Sequence, residues 1–323
     1  MLNDPDTVLI LGGAGQDGRL LAGRLAQLGH KVVSLIRPNS ISRLGKSNLA
    51  LKLDLQVPND FRKVYEEIRP TKIINFASLS SVALCESNPE KSKLINFDYA
   101  QNALEAAALY ATNSRFPITF VQASSSEMYG EGNLVCDELS PMNPKTVYGV
   151  HKLMAHQFLC MARESSSNIK LKNMILFNHE SELRPPGFVS QKIAIAVARV
   201  FLGKESGLKL GNTSSARDWG YAPDFMVAAE KILFAEESKD YVIATGQVHT
   251  IEKMLEHAFQ SIGVADYKQH VTSEPSLFRK VETPPLIGNA SKIREDLGWR
   301  PSTTFEEMVQ LMVKSQIKNL EVN

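Results

Sequence analysis

Short apolar runs alternate with helical patterns along the first half of the chain. The runs that predict buried strands are Val8–Leu11, Val32–Ile36, Leu51–Leu55, Lys72–Phe76 and Ile118–Val121. The stretches that predict helices are Asp17–Leu28, Phe61–Ile68, Ser92–Tyr110 and Tyr148–Ala162. Alternating strands and helices form a parallel sheet with helices on both faces. We therefore expect an α/β fold with a doubly wound parallel sheet.

The pattern is less regular beyond about residue 170. Met174–Phe177 predicts a further strand, and Val189–Leu202 predicts a helix that follows a loop containing Pro185 and Pro186. The last third holds short elements and ends in a helix predicted near Phe305–Ile317.

Composition narrows the classes of function. The 323 residues carry 36 basic and 35 acidic side chains, a net charge of +1, which gives no electrostatic reason to expect a nucleic acid or a membrane surface as partner. Three cysteines without CxxC spacing argue against disulfides and thiolate zinc sites, and the histidines show no metal spacing. The first fifteen residues lack the basic start of a signal peptide. We expect a cytoplasmic protein without a metal.

Gly12, Gly15 and Gly18 follow the first predicted strand directly and open the first predicted helix. In a dinucleotide site the first glycine permits a tight turn, the second lets a pyrophosphate approach the backbone, and the third lets helix and strand pack closely. The alternative is an ordinary strand-to-helix turn. The position of the motif favours dinucleotide binding.

The residue after the second predicted strand is Arg37. Sites that prefer NAD carry an acid near this position to bind the ribose hydroxyls, whereas an arginine suits a 2′-phosphate. NADP is therefore the expected cofactor, and the alternative is a solvated surface arginine. Asp54 and Leu55, after the third strand, are candidates for contacting the adenine, or else for an ordinary turn.

Tyr148 and Lys152 lie four residues apart and share one face of a predicted helix. A nearby ammonium favours the phenolate, so we expect the pKa of Tyr148 to lie well below about 10. The polar string Ser124–Gly130 follows the strand predicted at Ile118–Val121, at the edge where parallel sheets bind ligands. A hydroxyl, a carboxylate and this pair form a plausible acid–base set, and the alternative is a serine-rich turn.

The glycine motif, Ser125 with Glu127, and Tyr148 with Lys152 together resemble the extended short-chain dehydrogenase/reductase family. Within it, the chain is most similar to the GDP-mannose 4,6-dehydratases. The strings that carry this similarity are Gly15–Gly18, Gln122–Gly130, Leu176–Ser181, Phe188–Ile193, Leu210–Asn212, Arg217–Gly220 and Ala244–His249. They extend over nearly the whole chain, and the strings around 178–181 and 217–220 are much more specific than the glycine motif.

The resemblance implies a role for each matching residue. Tyr148 is the base that oxidises the C4 hydroxyl, Lys152 holds the nicotinamide ribose, Ser125 lies beside the C4 oxygen, and Glu127 removes the C5 proton. The implied cofactor contacts are Gly12, Gly15, Gln16, Asp17, Gly18, Arg37, Asp54, Leu55, Phe76, Ala77, Ser78, Tyr148, Lys152, His179 and Arg184. The implied substrate contacts are Ser80, Ser125, Ser126, Glu127, Tyr148, Asn178, Val189, Lys192, Arg217, Arg279 and Glu282.

The implied activity is an NADP-dependent GDP-sugar 4,6-dehydratase. Such an enzyme oxidises C4, eliminates water across C5 and C6, and returns the hydride to C6. The implied fold is a Rossmann-type NADP-binding domain over residues 1–175, with returning segments near 210–245, and a smaller C-terminal α/β domain for the nucleotide sugar over 176–323, interleaved with it. The resemblance also implies a homodimer, because in the family the helices at about Ser92–Tyr110 and Tyr148–Ala162 pair across a two-fold axis.

Several positions depart from the family pattern. Ser125 stands where the dehydratases usually have threonine, and Leu79 and Ser81 replace a glutamine and a histidine. The paired arginines after the second strand become Arg37 and a proline with a short loop, so we expect a dimer rather than a tetramer. The segment Glu182–Gly187 also differs. The sugar is therefore expected to be mannose or a relative such as a heptose or an N-acetylated hexose.

Two other functions remain open from the sequence. A GDP-sugar 4-reductase or epimerase would keep the same serine, tyrosine and lysine, but a reductase would consume NADPH in every turnover. A non-catalytic NADP-binding sensor could share the fold, because a fold alone does not set the function. The complete acid–base set argues against the sensor.

Overall fold

The computed structural model describes residues 6–38, 49–52, 58–130, 135–277 and 284–322. Its strands are β1 (Thr7–Leu11), β2 (Lys31–Ile36), β3 (Leu49–Lys52), β4 (Lys72–Asn75), β5 (Ile118–Ser125), β6 (Val135–Cys136), β7 (Ile169–Leu176), β8 (Asn178–Glu180), β9 (Leu208–Leu210), β10 (Ala216–Tyr221), β11 (Tyr241–Ile243), β12 (Val248–Thr250), β13 (Val271–Ser273) and β14 (Ile287–Gly288). Its α-helices are α1 (Gln16–Gln27), α2 (Pro58–Ile68), α3 (Val82–Ser87), α4 (Pro89–Lys93), α5 (Tyr99–Asn113), α6 (Val147–Ser165), α7 (Val189–Phe201), α8 (Ala222–Phe234), α9 (Ile251–Gln260), α10 (Ser291–Leu297) and α11 (Phe305–Glu321).

The central sheet has seven parallel strands in the order β3-β2-β1-β4-β5-β7-β11. The chain builds outward from β1 in one direction and then from β4 in the other. The crevice between β1 and β4 is therefore a topological switch point, where open parallel sheets bind ligands at the carboxyl ends of their strands. The predicted doubly wound sheet is confirmed.

Successive side chains of the central strands enter two separate cores, because a strand directs alternate residues to opposite faces. Val8 and Ile10 pack with α1 and α8 on one face. Leu9 and Leu11 pack with α2, α5 and α6 on the other face. Burial on both faces explains why the strands appear as continuous apolar runs in the sequence.

The C-terminal part has its own core between α7, α9 and α11, in which Trp219 stacks on Phe305 at 5.9 Å between ring centroids. Strands β8, β10 and β12 form a small sheet beside it. Asp224 joins this part to α8, since its carboxylate accepts hydrogen bonds from the backbone N–H groups of Ser302 and Thr303 at 2.9 and 2.8 Å. Strand β11 lies at the edge of the central sheet, beside β7. The division at residue 175 stays a prediction.

One predicted helix is interrupted. The stretch predicted as a single helix over Ser92–Tyr110 contains the end of α4, a π-helical turn at Leu94–Asp98 and most of α5. The wider turn carries Asn96, whose buried side chain is bonded to the loop after β4. Within the described ranges, the helices are all too short or too polar to span a membrane.

Two glycines of α1 provide a test of the packing at the switch point. A Cβ at Gly18 would lie 2.6 Å from the carbonyl oxygen of Gly12, whereas a Cβ at Gly23 would meet nothing within 4 Å. We expect Gly18→Ala to lower the free energy of unfolding by about 1–3 kcal/mol through overpacking. Gly23→Ala, the matched control, should raise it by about 0.5–1 kcal/mol because alanine is the better helix former. Urea titrations measure both, and changes of the same sign would contradict the packing described here.

Candidate active site

The glycine-rich turn lies at the switch point of the central sheet. Gly12 has a φ of +83°, a conformation that favours glycine, and a Cβ there would lie 2.7 Å from the backbone nitrogen of Ala77 and 2.8 Å from the carbonyl carbon of Phe76. Gly15 precedes α1 and offers no capping side chain, so the N–H groups of the first helical turn remain available to an anion. The cradle suits the pyrophosphate of a dinucleotide.

The other residues predicted to contact the cofactor in the N-terminal part differ in their exposure to solvent. Arg37 is exposed directly after β2. Phe76 and Ala77 are half-buried at the end of β4, beside Gly12. Asp54 and Leu55 lie outside the described residues.

Asn96 shapes the loop after β4, a role that the sequence analysis missed. Its Oδ1 accepts hydrogen bonds from the hydroxyl of Ser78 at 2.8 Å and the backbone N–H of Leu79 at 2.9 Å. Its Nδ2 donates to the carbonyl of Leu79 and the hydroxyl of Ser92, both at 3.2 Å. The signal in the sequence was an asparagine within an otherwise apolar helical string, Leu94–Phe97.

The predicted acid–base residues come together at the end of β5. Ser125 is the last residue of β5, and Glu127 follows in a 3₁₀ turn. The backbone N–H of Glu127 donates to the Ser125 hydroxyl at 3.2 Å. Tyr148 lies in the first turn of α6, where the nearby hydroxyls of Ser125 and Ser78 act to lower its pKa. The end of β5 and the start of α6 thus bring Ser125, Glu127 and Tyr148 together.

Two residues next to Tyr148 set the distance between α6 and that turn. A Cβ at Gly149 would lie 2.5 Å from the carbonyl oxygen of Glu127, so only glycine permits this approach. Thr146 caps α6 by accepting from the N–H of Gly149 at 3.0 Å, and its hydroxyl lies 3.4 Å from a carboxylate oxygen of Glu127. The sequence analysis missed Thr146, although a threonine just before a helical pattern is a capping signal.

The pKa of Tyr148 differs from the value expected from its spacing to Lys152. Burial raises the pKa of Tyr148 to about 12, the negative charge of Glu127 adds to the rise, and the hydroxyls of Ser125 and Ser78 oppose it. Burial also lowers the pKa of Lys152 to about 8, and its ammonium donates to the carbonyl of Ala123. The expected lowering of the tyrosine pKa by the ammonium is therefore wrong for the ligand-free protein, because removal of the phenol from water dominates.

A cleft of about 320 Å³ opens beside Glu127. Four of the residues that line it were predicted from the sequence as substrate contacts, namely Ser126, Glu127, Asn178 and Arg217. The others were not predicted, namely Gly130, Phe177, Pro284 and Leu286. The cleft thus combines a carboxylate, a guanidinium and an amide with apolar surface, a combination that suits a polar ligand held in one orientation.

The other predicted substrate residues do not line this cleft. Ser80 is exposed in the loop after β4. Val189 and Lys192 lie in the first turn of α7, where Lys192 is exposed. Arg279 and Glu282 lie outside the described residues.

Asp218 supports the wall next to Arg217. Its buried carboxylate accepts hydrogen bonds from the backbone N–H groups of Thr245, Gly246 and Gly288, at 3.0, 2.9 and 3.1 Å. Burial raises the pKa of Asp218 in spite of these bonds. One side chain therefore holds the loop at Thr245 and Gly246 and strand β14 against β10. This role was not evident from its place in the string Arg217–Gly220.

Three predicted cofactor residues, Gln16, Asp17 and His179, contact one another across the two parts of the chain, and a fourth, Arg184, lies close to them. Asp17 and Gln16 lie at the start of α1, and His179 lies on β8, with its Nε2 3.1 Å from the Asp17 carboxylate. Arg184 lies 3.0 Å from the carboxylate of Glu180. The structure brings these side chains together, and their contact with a cofactor stays a prediction.

A polar cluster lies beneath the site. The ligand atoms of His156, Cys160 and Asp240 lie within 4.8 Å of one another. Asp240 is ion-paired with Arg163, and the Nδ1 of His156 lies 3.1 Å from the hydroxyl of Ser124. Burial raises the pKa of Cys160 to about 11. A protonated thiol and a carboxylate already paired with arginine are typical of a structural network rather than of a metal centre.

Comparison with known proteins identifies the family. The sequence profile described as GDP-mannose 4,6 dehydratase matches residues 9–312. GDP-mannose 4,6 dehydratase 1 of Arabidopsis thaliana is 34% identical over 324 residues, which cover 96% of this chain and 89% of that protein. The chain belongs to the GDP-mannose 4,6-dehydratase family. The predicted resemblance and the predicted class of enzyme, a nucleotide-sugar 4,6-dehydratase, are confirmed at this level.

Solved structures of other nucleotide-sugar enzymes superpose on this chain and share its fold. The UDP-glucose 4-epimerase of Thermus thermophilus complexed with NAD superposes with a TM-score of 0.84, at 25% identity over 96% of this chain and 98% of that one. The RMD of Pseudomonas aeruginosa complexed with NADPH superposes with a TM-score of 0.81, at 21% identity over 98% of each chain. A nicotinamide cofactor is therefore supported, whereas the choice between its two forms is not shown.

The buried Lys152 predicts a pH dependence of stability. In the folded protein it loses its proton near pH 8, whereas an ordinary lysine keeps it until about pH 10.4. Between these values the unfolded chain binds more protons, so the free energy of unfolding rises with pH. From pH 8 to pH 10 the wild-type protein should gain about 2 kcal/mol relative to Lys152→Met.

Urea titrations of both proteins at several pH values measure this difference. Lys172, whose pKa burial also lowers to about 8, is present in both proteins, so its contribution cancels. A constant difference across the pH range would show that Lys152 is not desolvated.

Proposed function

We propose that this protein converts GDP-mannose to the GDP-4-keto-6-deoxy sugar with NADP as a regenerated cofactor. The observation that carries the proposal is the carboxylate of Glu127, which lines the cleft and lies one 3₁₀ turn from Ser125 and against the first turn of α6. A carboxylate beside a tyrosine–serine pair can remove a carbon-bound proton once the neighbouring hydroxyl has been oxidised. An enzyme that only oxidised the hydroxyl would not need this carboxylate.

Tyr148 and Ser125 begin the reaction at C4 of the sugar. The phenolate of Tyr148 takes the proton of the C4 hydroxyl while the Ser125 hydroxyl donates to the C4 oxygen. NADP⁺, when bound, supplies the acceptor that takes a hydride from C4 and returns it to C6, and its positive ring favours the phenolate. Since burial raises the pKa of Tyr148, the positive charge that NADP⁺ would bring to the site would favour the phenolate and so allow the tyrosine to act as a base.

Glu127 then turns an oxidation into a dehydration. The C4 ketone makes the C5 proton acidic, and the Glu127 carboxylate takes that proton. The acid so formed gives the proton to the C6 hydroxyl, which leaves as water. When the hydride arrives at C6, C5 regains a proton equivalent to the one that Tyr148 took from the C4 hydroxyl, so that Tyr148 and Glu127 both return to their starting states. The Thr146 hydroxyl, 3.4 Å from the carboxylate, holds Glu127 toward the cleft. The balance is one GDP-mannose consumed and one water released, with no net change in cofactor.

Recognition of the GDP group is assigned to polar and cationic residues next to the cleft. Arg217 lines it, and Lys192 lies exposed in the first turn of α7. Cationic side chains bind a diphosphate through charge-assisted hydrogen bonds. Asn178 on β8 provides an amide between them and Glu127. The contacts predicted for Ser80 and Val189 remain part of this proposal.

We assign the preference for NADP to Arg37. This side chain is exposed directly after β2, where the adenosine ribose of a dinucleotide lies in folds of this kind. A guanidinium there binds a 2′-phosphate and gains little from a ribose hydroxyl. A cytoplasmic location, where both cofactor and nucleotide sugar are available, is proposed with it.

A homodimer is proposed through the outer faces of α5 and α6. Leu109 on α5 and Val150 and Met161 on α6 are large apolar side chains exposed to solvent. Their burial in a second copy of the chain would remove apolar surface from water. Helix α6 also carries the catalytic tyrosine, so a dimer would hold the site rigid from behind.

The first experiment incubates the purified protein with GDP-mannose and a trace of NADP⁺ or of NAD⁺. Loss of one water from the sugar by mass spectrometry, without net formation of reduced cofactor, is the expected result, and it should be faster with NADP⁺. Consumption of NADPH in proportion to product would instead indicate a reductase. An unchanged substrate with either cofactor would overturn the proposal for this sugar.

Glu127→Gln should abolish formation of the dehydrated product. The amide keeps the size of the side chain but cannot accept the C5 proton, so we expect turnover to fall by at least about 10²-fold, with binding of NADPH nearly unchanged. Glu230→Gln is the matched control, since Glu230 pairs with Arg24 on the opposite face of the sheet. Unaltered turnover in Glu127→Gln would remove Glu127 from the mechanism.

Light scattering coupled to size exclusion tests the dimer. We expect twice the chain mass for the wild-type protein and a shift toward the single chain for a Leu109→Glu and Met161→Glu double variant, because charge on an apolar interface is unfavourable. Leu28→Glu, at an equally exposed leucine after α1, should leave the mass unchanged. A wild-type monomer would contradict the assignment.

A further inference from the structure

The side chains of the glycine-rich turn are bonded to the strand that faces the sugar cleft. Gln16 donates from Nε2 to the carbonyl of His179 at 3.2 Å and accepts from the hydroxyl of Ser181 at 2.8 Å. Asp17 accepts from the Nε2 of His179 at 3.1 Å. These bonds join residues more than 160 positions apart in sequence, and all of them are wholly or largely buried.

The geometry requires His179 to carry a positive charge. Its Nδ1 lies 2.7 Å from the carbonyl oxygen of Phe177, which can only accept, so Nδ1 holds a proton. Its Nε2 faces the carboxylate of Asp17, so it holds a proton as well. Burial is the largest influence on the pKa of His179 and lowers it, but the charge of Asp17 and the hydrogen bonds to Asp17 and Phe177 together outweigh burial, so the pKa is raised. Burial raises the pKa of Asp17, but His179, Gln16 and Arg184 together outweigh it, so that pKa is lowered.

The ring of His179 is also fixed from the side. It stacks on Phe225 of α8 with 4.9 Å between ring centroids and 18° between the planes. A Cβ at Gly220 would lie 2.3 Å from Phe225, so glycine at this position leaves room for the stacked ring. The histidine therefore has one orientation, with its charged edge toward Asp17.

The same run of polar contacts continues to α7. Glu180, the neighbour of His179 on β8, accepts from the hydroxyl of Ser190 at 2.6 Å and lies 3.0 Å from the guanidinium of Arg184. Ser190 belongs to the first turn of α7, two residues before Lys192. The bonded path thus runs from the turn at the switch point, across β8, to the helix assigned to the diphosphate.

We propose that Asp17 and His179 are positioning residues whose buried charge pair couples the cofactor turn to the nucleotide-sugar strand, so that each ligand binds more tightly in the presence of the other. This inference rests on the proposed function and deepens it. A ligand that orders Gly15–Asp17 also restrains β8 through the pair, and a ligand held by Asn178 restrains the turn. Coupling of this kind is reciprocal, and it requires no contact between His179 and the cofactor.

The test measures the dissociation constant of NADPH by fluorescence, with and without saturating GDP, in four proteins. These are the wild type, Asp17→Asn, His179→Phe and the double variant. In the wild type we expect GDP to tighten NADPH binding by about tenfold, a usual size for coupling between two sites. Both single variants should bring this ratio close to one, and the double variant should lose nothing further. Phenylalanine retains the stacking on Phe225, so a loss reports on the polar contacts.

Two controls separate the pair from general effects. Glu256→Gln breaks the exposed Lys253–Glu256 pair on α9 and should leave the ratio unchanged. Hydrogen exchange of the backbone amides over residues 177–181, without any ligand, should be faster in Asp17→Asn than in the wild type.

Each contrary outcome has a distinct meaning. The inference is overturned if the variants keep the wild-type ratio, if the wild type shows no coupling, or if NADPH binding weakens equally with and without GDP, as expected of an ordinary cofactor contact. If the wild type binds neither NADPH nor GDP, the proposed function fails instead. The exchange experiment then decides alone, and unchanged exchange in Asp17→Asn would refute the link between the turn and β8.

Discussion

The contact on which the site depends is the approach of α6 to the end of β5. Gly149 lets the first turn of α6 meet the backbone of Glu127, and one turn later the ammonium of Lys152 is bonded to the carbonyl of Ala123. Two contacts spaced along one helix fix both its rotation and its height over the sheet. Because of this, Tyr148 lies close to Ser125, whose hydroxyl acts to lower its pKa, and Glu127 lines the cleft.

The two parts of the chain are aligned mainly by buried carboxylates. Asp218 holds the loop at Thr245 and strand β14, Asp224 holds the segment before α11, and Asp17 holds β8 through His179. Apolar cores stabilise these parts but have little directional preference, whereas a buried hydrogen bond tolerates only a narrow geometry. A buried carboxylate without its partners would also cost several kcal/mol, so the alignment is strongly enforced.

The features that the sequence predicted are those with a local signal. Long apolar runs predicted β1, β2, β4 and β5, and glycine spacing predicted the turn before α1. Strand β11 has only three residues, Tyr241–Ile243, and its place beside β7 depends on residues some 70 positions away. The π-helical turn around Asn96 also escaped prediction, since its partner is the loop at Ser78 and Leu79 rather than its own helix.

The sequence by itself determined the class of fold and the family, because periodicity and short strings are carried by neighbouring positions. Only the tertiary structure decided the protonation of Tyr148 and Lys152 and the partners of each side chain. Burial raises the pKa of Tyr148, whereas the spacing of Tyr148 and Lys152 alone predicts a lowered one. Burial also lowers the pKa of Lys152. The pairing of Asp17 with His179 joins positions 162 residues apart. Desolvation and long-range pairing arise from the whole packed chain, and no local pattern contains them.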